Sequence, residues 1–233
     1  MKDFIKKIFK KYNFELSEKQ VDQFVIYMDF LLEENQKYNL TAITDQNEVV
    51  IKHFVDSILP LAEIENNASV IDVGTGAGFP GVPLKIMRPD IKLTLLDSLQ
   101  KRINFLNLLL AKLGITDVTT LHSRAEDYAV KSREKFDIAL SRAVASLPTL
   151  AEYLIPFVKV EGKTMMYKGS SADEEIALGN KAVITLGGEI EKVVNFNLDE
   201  VASERKVIII KKVSKTDKKY PRGKNLPKTK PIL

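Results

Sequence analysis

The chain has 233 residues, 45% of them apolar and 28% charged, with a formal net charge of +4 and no cysteine. That size and balance suit one α/β domain with a small extension. The composition excludes disulfides, thiolate metal sites, cysteine nucleophiles and cysteine-held iron–sulfur clusters, two histidines, His53 and His122, are too few for a zinc site, and no run of 18 apolar residues exists to span a membrane.

Residues 1–10 lack an unbroken apolar core, so the expectation is an amphipathic surface helix rather than a secretory signal, in a cytoplasmic protein. Ser17-Glu-Lys-Gln20 fits a capping box. Val21, Phe24, Met28, Leu31 and Leu32 follow at helical spacing, predicting a helix to about Lys37. Asp45 and Glu48 cap a further helix ending before Pro60. From Ser69 the pattern alternates. Strands are predicted at 69–73, 92–97, 118–121, 136–141 and 163–168, and helices in the short segment at Pro83 and at 99–113, 125–129, 147–158 and 172–186. A terminal antiparallel hairpin follows at 189–197 and 206–212. Alternating strands and helices imply a mostly parallel seven-stranded sheet, helices on both faces, with a helical N-terminal extension. The expected organisation is one globular unit of three parts: helical residues 1–60, an α/β domain over 61–213 and a basic tail over 214–233. That tail region is distinctive. Residues 211–233 hold nine Lys or Arg and one acid, Asp217, against 26 basic and 30 acidic residues elsewhere. A basic segment with so few apolar residues suggests a polyanionic partner such as RNA; a merely solvated tail is the alternative.

The most informative stretch is Val-Ile-Asp-Val-Gly-Thr-Gly-Ala-Gly-Phe-Pro-Gly, residues 70–81. A β-branched strand runs into a turn with Gly74, Gly76, Gly78 and Gly81, which tolerates positive φ and lets a ligand approach the backbone. Gly76 to Gly81 also matches the dinucleotide fingerprint, with Asp97 placed 19 residues past Gly78, so a nicotinamide oxidoreductase is an alternative. Against it stand the early Gly74, the like charge of Asp72 facing a pyrophosphate, and Pro80, which lacks an N–H. S-adenosylmethionine carries no phosphate, and its ammonium and sulfonium suit Asp72. Asp97, with Ser98 beside it, ends the second strand, where a carboxylate accepts both ribose hydroxyls or caps the next helix. Glu126 follows the third strand, to contact the adenine or stand in solvent. Arg142 follows the fourth, beside the transferred methyl, to orient cofactor, hold RNA phosphate or form a salt bridge.

With these residues the chain resembles the RsmG (GidB) family of bacterial small-subunit rRNA guanine-N7 methyltransferases. The resemblance rests on residues 37–43 (Lys-Tyr-Asn-Leu-Thr-Ala-Ile), 52–58 (Lys-His-Phe-Val-Asp-Ser-Ile), 72–83 and 96–102 (Leu-Asp-Ser-Leu-Gln-Lys-Arg). It extends through Arg-Ala-Glu-Asp at 124–127, Ser-Arg-Ala-Val-Ala at 141–145 and Lys-Tyr-Pro-Arg at 219–222. Two departures are Tyr38 and Lys52, where the family often has Trp and Arg. The resemblance implies the Rossmann-like class I methyltransferase fold and methylation of guanine N7 at position 527 of 16S rRNA; a methyltransferase of another RNA or of a protein is the alternative, and a monomer is expected. It implies cofactor contacts at Gly74, Phe79, Asp97, Ala125, Glu126 and Arg142. The in-plane lone pair of N7 needs no base to remove a proton, which agrees with the lack of a catalytic triad and of an Asn-Pro-Pro-Tyr sequence after the fourth strand. Asp72, Gly76, Gly78 and Ser98 complete the expected cofactor set, and Arg142 is the expected catalytic residue. Expected RNA contacts are His53, Lys219, Tyr220, Arg222, Lys224 and Lys228, with Tyr220 stacking on a base. His53 shares a helix face with Asp56, either at the substrate or as a surface hydrogen bond; His122 is expected to be structural.

Overall fold

A computed structural model describes residues 1–142, 144–170 and 172–233. Ala143, inside the motif after the fourth strand, lies outside the described residues.

Helix α1 (Lys2–Lys11) buries Ile5, Ile8 and Phe9 and leaves its lysines outside. Helix α2 (Glu18–Tyr38) begins at the expected capping box, in which Ser17 Oγ accepts from the Gln20 amide and the Gln20 side chain accepts from the Ser17 amide. Asn39, at φ +50°, ends it. The Asp45 carboxylate caps α3 (Gln46–Glu48), which continues as a π-helical stretch, Val49–Val55, into α4 (Asp56–Ile58). The sequence pattern predicts an ordinary α-helix here. A π ladder has no composition signal of its own and recurs at functional sites.

The α/β part follows as β1 (Ser69–Val73), α5 (Gly81–Met87), β2 (Lys92–Asp97), α6 (Gln100–Lys112), β3 (Val118–His122), α7 (Ala125–Lys131) and β4 (Phe136–Arg142). Then come α8 (Leu147–Leu154), β5 (Val158–Lys168), α9 (Ala172–Thr185), β6 (Gly188–Leu198), β7 (Ser203–Lys212) and a last turn of helix, α10 (Leu226–Thr229). The helix predicted over 147–158 stops early. Pro156 supplies no N–H, a 3₁₀ turn spans Ile155–Phe157, and the chain enters β5 at Val158. The seven strands form one sheet in the order β3-β2-β1-β4-β5-β7-β6. The first five run parallel, and β7 lies antiparallel between β5 and β6.

Alternation along the strands divides the core into two layers. Val70, Leu93, Leu95, Ile138, Leu140, Met165 and Ile209 face a layer completed by α1, α2, the 46–58 helix, α5 and α6. Ile71, Val73, Leu96, Ala139, Met166, Ile208 and Ile210 face the layer under α8 and α9. An aromatic ladder, Phe9–Phe24–Phe54–Tyr27–Phe79, has successive ring centroids 4.8 to 5.2 Å apart and reaches from α1 to the glycine turn. Each such buried side chain contributes about 1.5–3 kcal/mol, so the N-terminal helices are bound to the core through the site itself. Among the described residues no helix is long and apolar enough to cross a membrane.

The tail departs from the expectation of a segment unable to join a core. Thr216, Pro221 and Pro227 are buried. Arg133 donates to the carbonyls of Thr216, Asp217 and Tyr220, and Thr149 Oγ1 donates to Pro227 O at 2.9 Å. Short polar side chains and prolines fill the gap that the apolar count left unexplained.

Candidate functional site

The ends of β1, β2 and β4 converge on the carboxyl edge where the strand order reverses, the ligand crevice of open α/β sheets. Gly74, Gly76 and Gly78 adopt φ of +72°, +62° and +101°, as the turn after β1 requires. A Cβ on Gly76 meets nothing within 4 Å, so a ligand can lie against its backbone; one on Gly74 strikes Val144 at 2.6 Å.

The turn closes its own hydrogen bonds. Gly74 and Thr75 donate to Leu96 O, Gly78 and Phe79 to Thr75 O, and Val82 to Gly78 O. Gly76 donates to Asp97 Oδ2 and Gly81 to Asp72 Oδ2, both at 2.9 Å. Of the loop amides from Gly74 to Val82, only that of Ala77 remains, because Pro80 has none. A pyrophosphate needs a row of free N–H donors, so the dinucleotide alternative fails on this geometry. A ligand lacking phosphate loses nothing here.

Asp72 does not stand where its position at a strand end suggests. It has no exposed surface and lines none of the cavities at this edge. Its Oδ2 accepts from Thr75 Oγ1 (2.7 Å) and from Gly81, bracing the turn from behind, and Oδ1 has no partner. Burial pushes its carboxyl up to about 7.

Asp97 does face the crevice. Its Oδ1 accepts from the Leu99 amide at 2.9 Å, and its Oδ2 accepts from Gly76 and from Arg102 at 3.1 Å. It therefore fixes the Leu99 amide just ahead of α6 and faces the cavity at once; Leu99, not Asp97, is the N-cap residue of α6, which has no side-chain cap. A carboxylate offers about four acceptor positions; three are filled, leaving one, on Oδ1, for a ribose hydroxyl unless Arg102 yields a second. Asp97, Ser98, Ala125 and Glu126 line one cavity of about 200 Å³ with Gly74 and Lys228. Gly76, Phe79, Asp97 and Ser98 line a second of about 360 Å³ with Thr41, His53 and Arg142. Val144 borders both, and also a third of about 570 Å³ lined by Lys52, His53, Asp56, Arg142, Lys168 and Arg205. Gly78 is placed differently: a Cβ there meets Tyr27, Val82 and Leu106, so it shapes the turn rather than a cavity wall.

Arg142 joins the last two cavities. Nη1 donates to Asp56 Oδ2 at 2.9 Å and Lys52 O at 3.2 Å, and Nη2 lies 3.2 Å from His53 Nδ1. The guanidinium sits over the Phe79 ring at 5.0 Å. Arg205 Nε holds the other oxygen of Asp56 at 3.1 Å. Guanidinium only donates, so His53 Nδ1 is an acceptor. Its proton is on Nε2, which donates to Thr41 Oγ1 at 2.8 Å. Burial, reinforced by the Arg142 charge, drives the His53 imidazole down to about 3, so it stays neutral. His53 is thus half-buried, stacked on Phe79 with centroids 4.5 Å apart, and supports Arg142 while lining both the 360 Å³ and the 570 Å³ cavity. The pairing of His53 with Asp56 is visible in the sequence; their common partner, 86 and 89 residues away, is not.

Three further expected RNA contacts are altered by the folded tail. Arg222 makes four hydrogen bonds to the Glu152 carboxylate, through its amide, Nε and Nη2, at 2.7 to 3.2 Å, and Glu152 is wholly buried. Its charge is engaged inside the protein and is not free for phosphate. Tyr220 is half-buried against the second core layer, with Lys219 Nζ 5.3 Å and Arg222 Cζ 6.0 Å from its ring centroid, so its ring already has cationic partners within the protein. Lys228 borders the 200 Å³ cavity. Lys219 and Lys224 remain on the surface as expected. His122 Nε2 lies 3.0 Å from Ser98 O and joins β3 to the crevice rim.

The sheet order, the phosphate-averse glycine turn and the acid ending β2 define a class I methyltransferase. The rRNA small subunit methyltransferase G (GidB) family matches residues 20–208 of the chain. The chain is 47% identical over 224 residues to the ribosomal RNA small subunit methyltransferase G of Clostridium botulinum (strain Loch Maree / Type A3), covering 94% of each. It is 49% identical over 221 residues to the protein of that name from Acetivibrio thermocellus, covering 93% of this chain and 90% of that one. Among solved structures it resembles the precorrin-6y C5,15-methyltransferase of Geobacter metallireducens in fold, with TM-score 0.52 at 17% identity over 73% of this chain and 90% of the other. The chain belongs to the rRNA small subunit methyltransferase G family, and is an rRNA methyltransferase.

Proposed function

We propose that the protein transfers a methyl group from S-adenosyl-L-methionine to guanine N7 at position 527 of 16S rRNA, acting as a cytoplasmic monomer on the small ribosomal subunit. The observation that carries the reading is the contiguity around Val144. A crevice built from Gly74, Gly76 and Asp97, with no row of free amides for phosphate, opens beside a larger cavity lined by Arg142, Lys52, Lys168 and Arg205.

S-adenosylmethionine supplies an electrophilic methyl on a positive sulfur. With the cofactor bound, Asp97 would accept a ribose hydroxyl, Ala125 and Glu126 would flank the adenine, and Gly76 would let the ligand lie on the backbone. Arg142, fixed by Asp56, His53 and Lys52 O and seated over Phe79, holds the boundary between cofactor and base. N7 attacks with its own lone pair, so no side chain takes a proton, and in-line positioning provides up to ~7–11 kcal/mol. Four cationic side chains, Lys52, Arg142, Lys168 and Arg205, against two carboxylates, Asp56 and Glu175, leave this cavity with an excess of positive charge for the phosphates flanking the target guanine. Residues 1–60 and the tail act with the α/β core as one unit, because Tyr27 holds the glycine turn through Ala77 O and His53 and Lys228 line the cavities beside it.

Small subunits lacking the modification, incubated with the protein and labelled donor and then mapped base by base, should gain one methyl at N7 of that guanine. A methyl elsewhere in the RNA, or only on protein, overturns the reading.

A further inference from the structure

The tail is the compositional oddity of this chain, and its basic residues read as an RNA arm. Its structure sends it elsewhere. Arg222 and the wholly buried Glu152 pin it to α8, and Thr149 Oγ1 holds Pro227 O at the neighbouring turn of the same helix. Tyr153, adjacent to Glu152, and Lys228, adjacent to Pro227, then line the cavity that also holds Asp97, Ala125 and Glu126.

We propose that Lys228 is a cofactor-binding residue and that the C-terminal segment forms a wall of the adenosyl pocket. This rests on the assignment of that pocket to S-adenosylmethionine. The cavity's two carboxylates already have arginine partners, Asp97 with Arg102 at 3.1 Å and Glu126 with Arg124 at 3.6 Å. Lys228 has no acidic partner within 4 Å among the described residues, so its ammonium keeps its donors. A purine offers in-plane ring nitrogens that accept but cannot donate. A lysine on a flexible stem at the cavity mouth meets that need and covers the ring with its methylenes. The pinning ion pair explains why a polar, proline-rich segment holds one place. A carboxylate sealed in the protein must keep its cation, and that fixes the chain just ahead of Lys228.

The test is calorimetric titration of S-adenosylhomocysteine, without RNA, into the full-length protein and into Lys228→Met and Lys230→Met. Lys228 is exposed and unpaired, so its loss leaves the fold intact, checked by an unchanged melting curve. The expected result is Kd about tenfold higher for Lys228→Met and unchanged for Lys230→Met, which lies on the same segment away from the cavity. In the wild type, ligand should also slow amide exchange across residues 226–230. Equal affinities with no added protection of these amides overturn the proposal while leaving the pocket assignment standing. A folded wild type that binds no ligand overturns the pocket assignment itself.

Discussion

The proposed role of Arg142 makes it essential to the site without being essential to the fold. Its partner Asp56 is buried, and stripping a buried carboxylate of its only cation costs about 3–5 kcal/mol. Arg205 also holds Asp56, at 3.1 Å, so Arg142→Ala leaves the acid paired. The variant should melt close to the wild type while methyl transfer falls by about 100-fold or more. Arg142→Lys should do little better, since one ammonium cannot hold Asp56 and His53 in the fork that a guanidinium spans. An Arg142→Ala protein with near-normal single-turnover transfer ends the role assigned to it. Asp72 gives a second prediction, in stability. Its carboxyl is raised from 3.8 to about 7 by burial, so the native state binds a proton that the unfolded chain releases. The stabilisation is complete below about pH 4 and is lost as pH rises through about 7. Asp72→Asn carries no charge to bury and keeps an acceptor for Thr75 and Gly81. Urea denaturation should therefore show Asp72→Asn gaining on the wild type between about pH 4 and about pH 8, by a few kcal/mol at most. A gap that does not change with pH means that Asp72 does not titrate in this range.

The glycine turn is held from two directions, by Asp72 behind it and by α2 beside it. Tyr27 reaches from the middle of α2 to donate to Ala77 O at 2.6 Å, while its ring stacks on Phe79 at 5.2 Å. Tyr27→Phe keeps the stack and orphans a buried carbonyl, which costs about 1–3 kcal/mol. The loss should appear both in urea denaturation and as weaker cofactor binding, because the turn itself loosens. A stability loss with unchanged affinity would confine Tyr27 to the core. This coupling explains what the sequence could and could not disclose. Strand and helix periodicity, the Ser17 capping box and the glycine spacing are local signals, and β1, β2 and α2 fall at or within a residue of their predicted positions. The environment of a side chain is not local. Asp72 and Asp97 read alike as acids at strand ends, yet one turns under the loop and the other faces the crevice. His53 reads either as a substrate-side residue or as a helix-surface hydrogen bond, and Arg142 and Phe79 instead hold it in the wall between two cavities. The early end of α8 is signalled by Pro156, but the apolar run through Val158 masks it.

At the scale of the molecule, the net charge of +4 is a small remainder of large opposing numbers, and the fold neutralises part of the basic segment. Lys212 is bonded to Glu134 and Ile155 O, and Arg222 to Glu152, so neither can neutralise RNA phosphate. Deleting everything after Lys212 would therefore expose Glu152 without its partner and remove the bonds from Arg133, confounding stability with binding. Lys219 and Lys224 are the better probes, being exposed; the acidic partner of Lys219 among the described residues is Asp217, itself exposed, at 3.4 Å. Such surface pairs contribute little and are readily exchanged for another anion. Removing one lysine that neutralises a phosphate should lower the slope of log affinity against log salt by about 0.7–0.9. The double variant Lys219→Gln, Lys224→Gln should thus bind small subunits with a slope shallower by up to about 1.4–1.8, and with unchanged affinity for S-adenosylhomocysteine. Arg222→Gln should behave in the opposite sense, losing thermal stability because Glu152 stays buried without its cation. If the lysine variant keeps the wild-type slope, the RNA is carried by the cavity around Arg142 and by the lysines of α1, and the C-terminal segment serves the cofactor side alone.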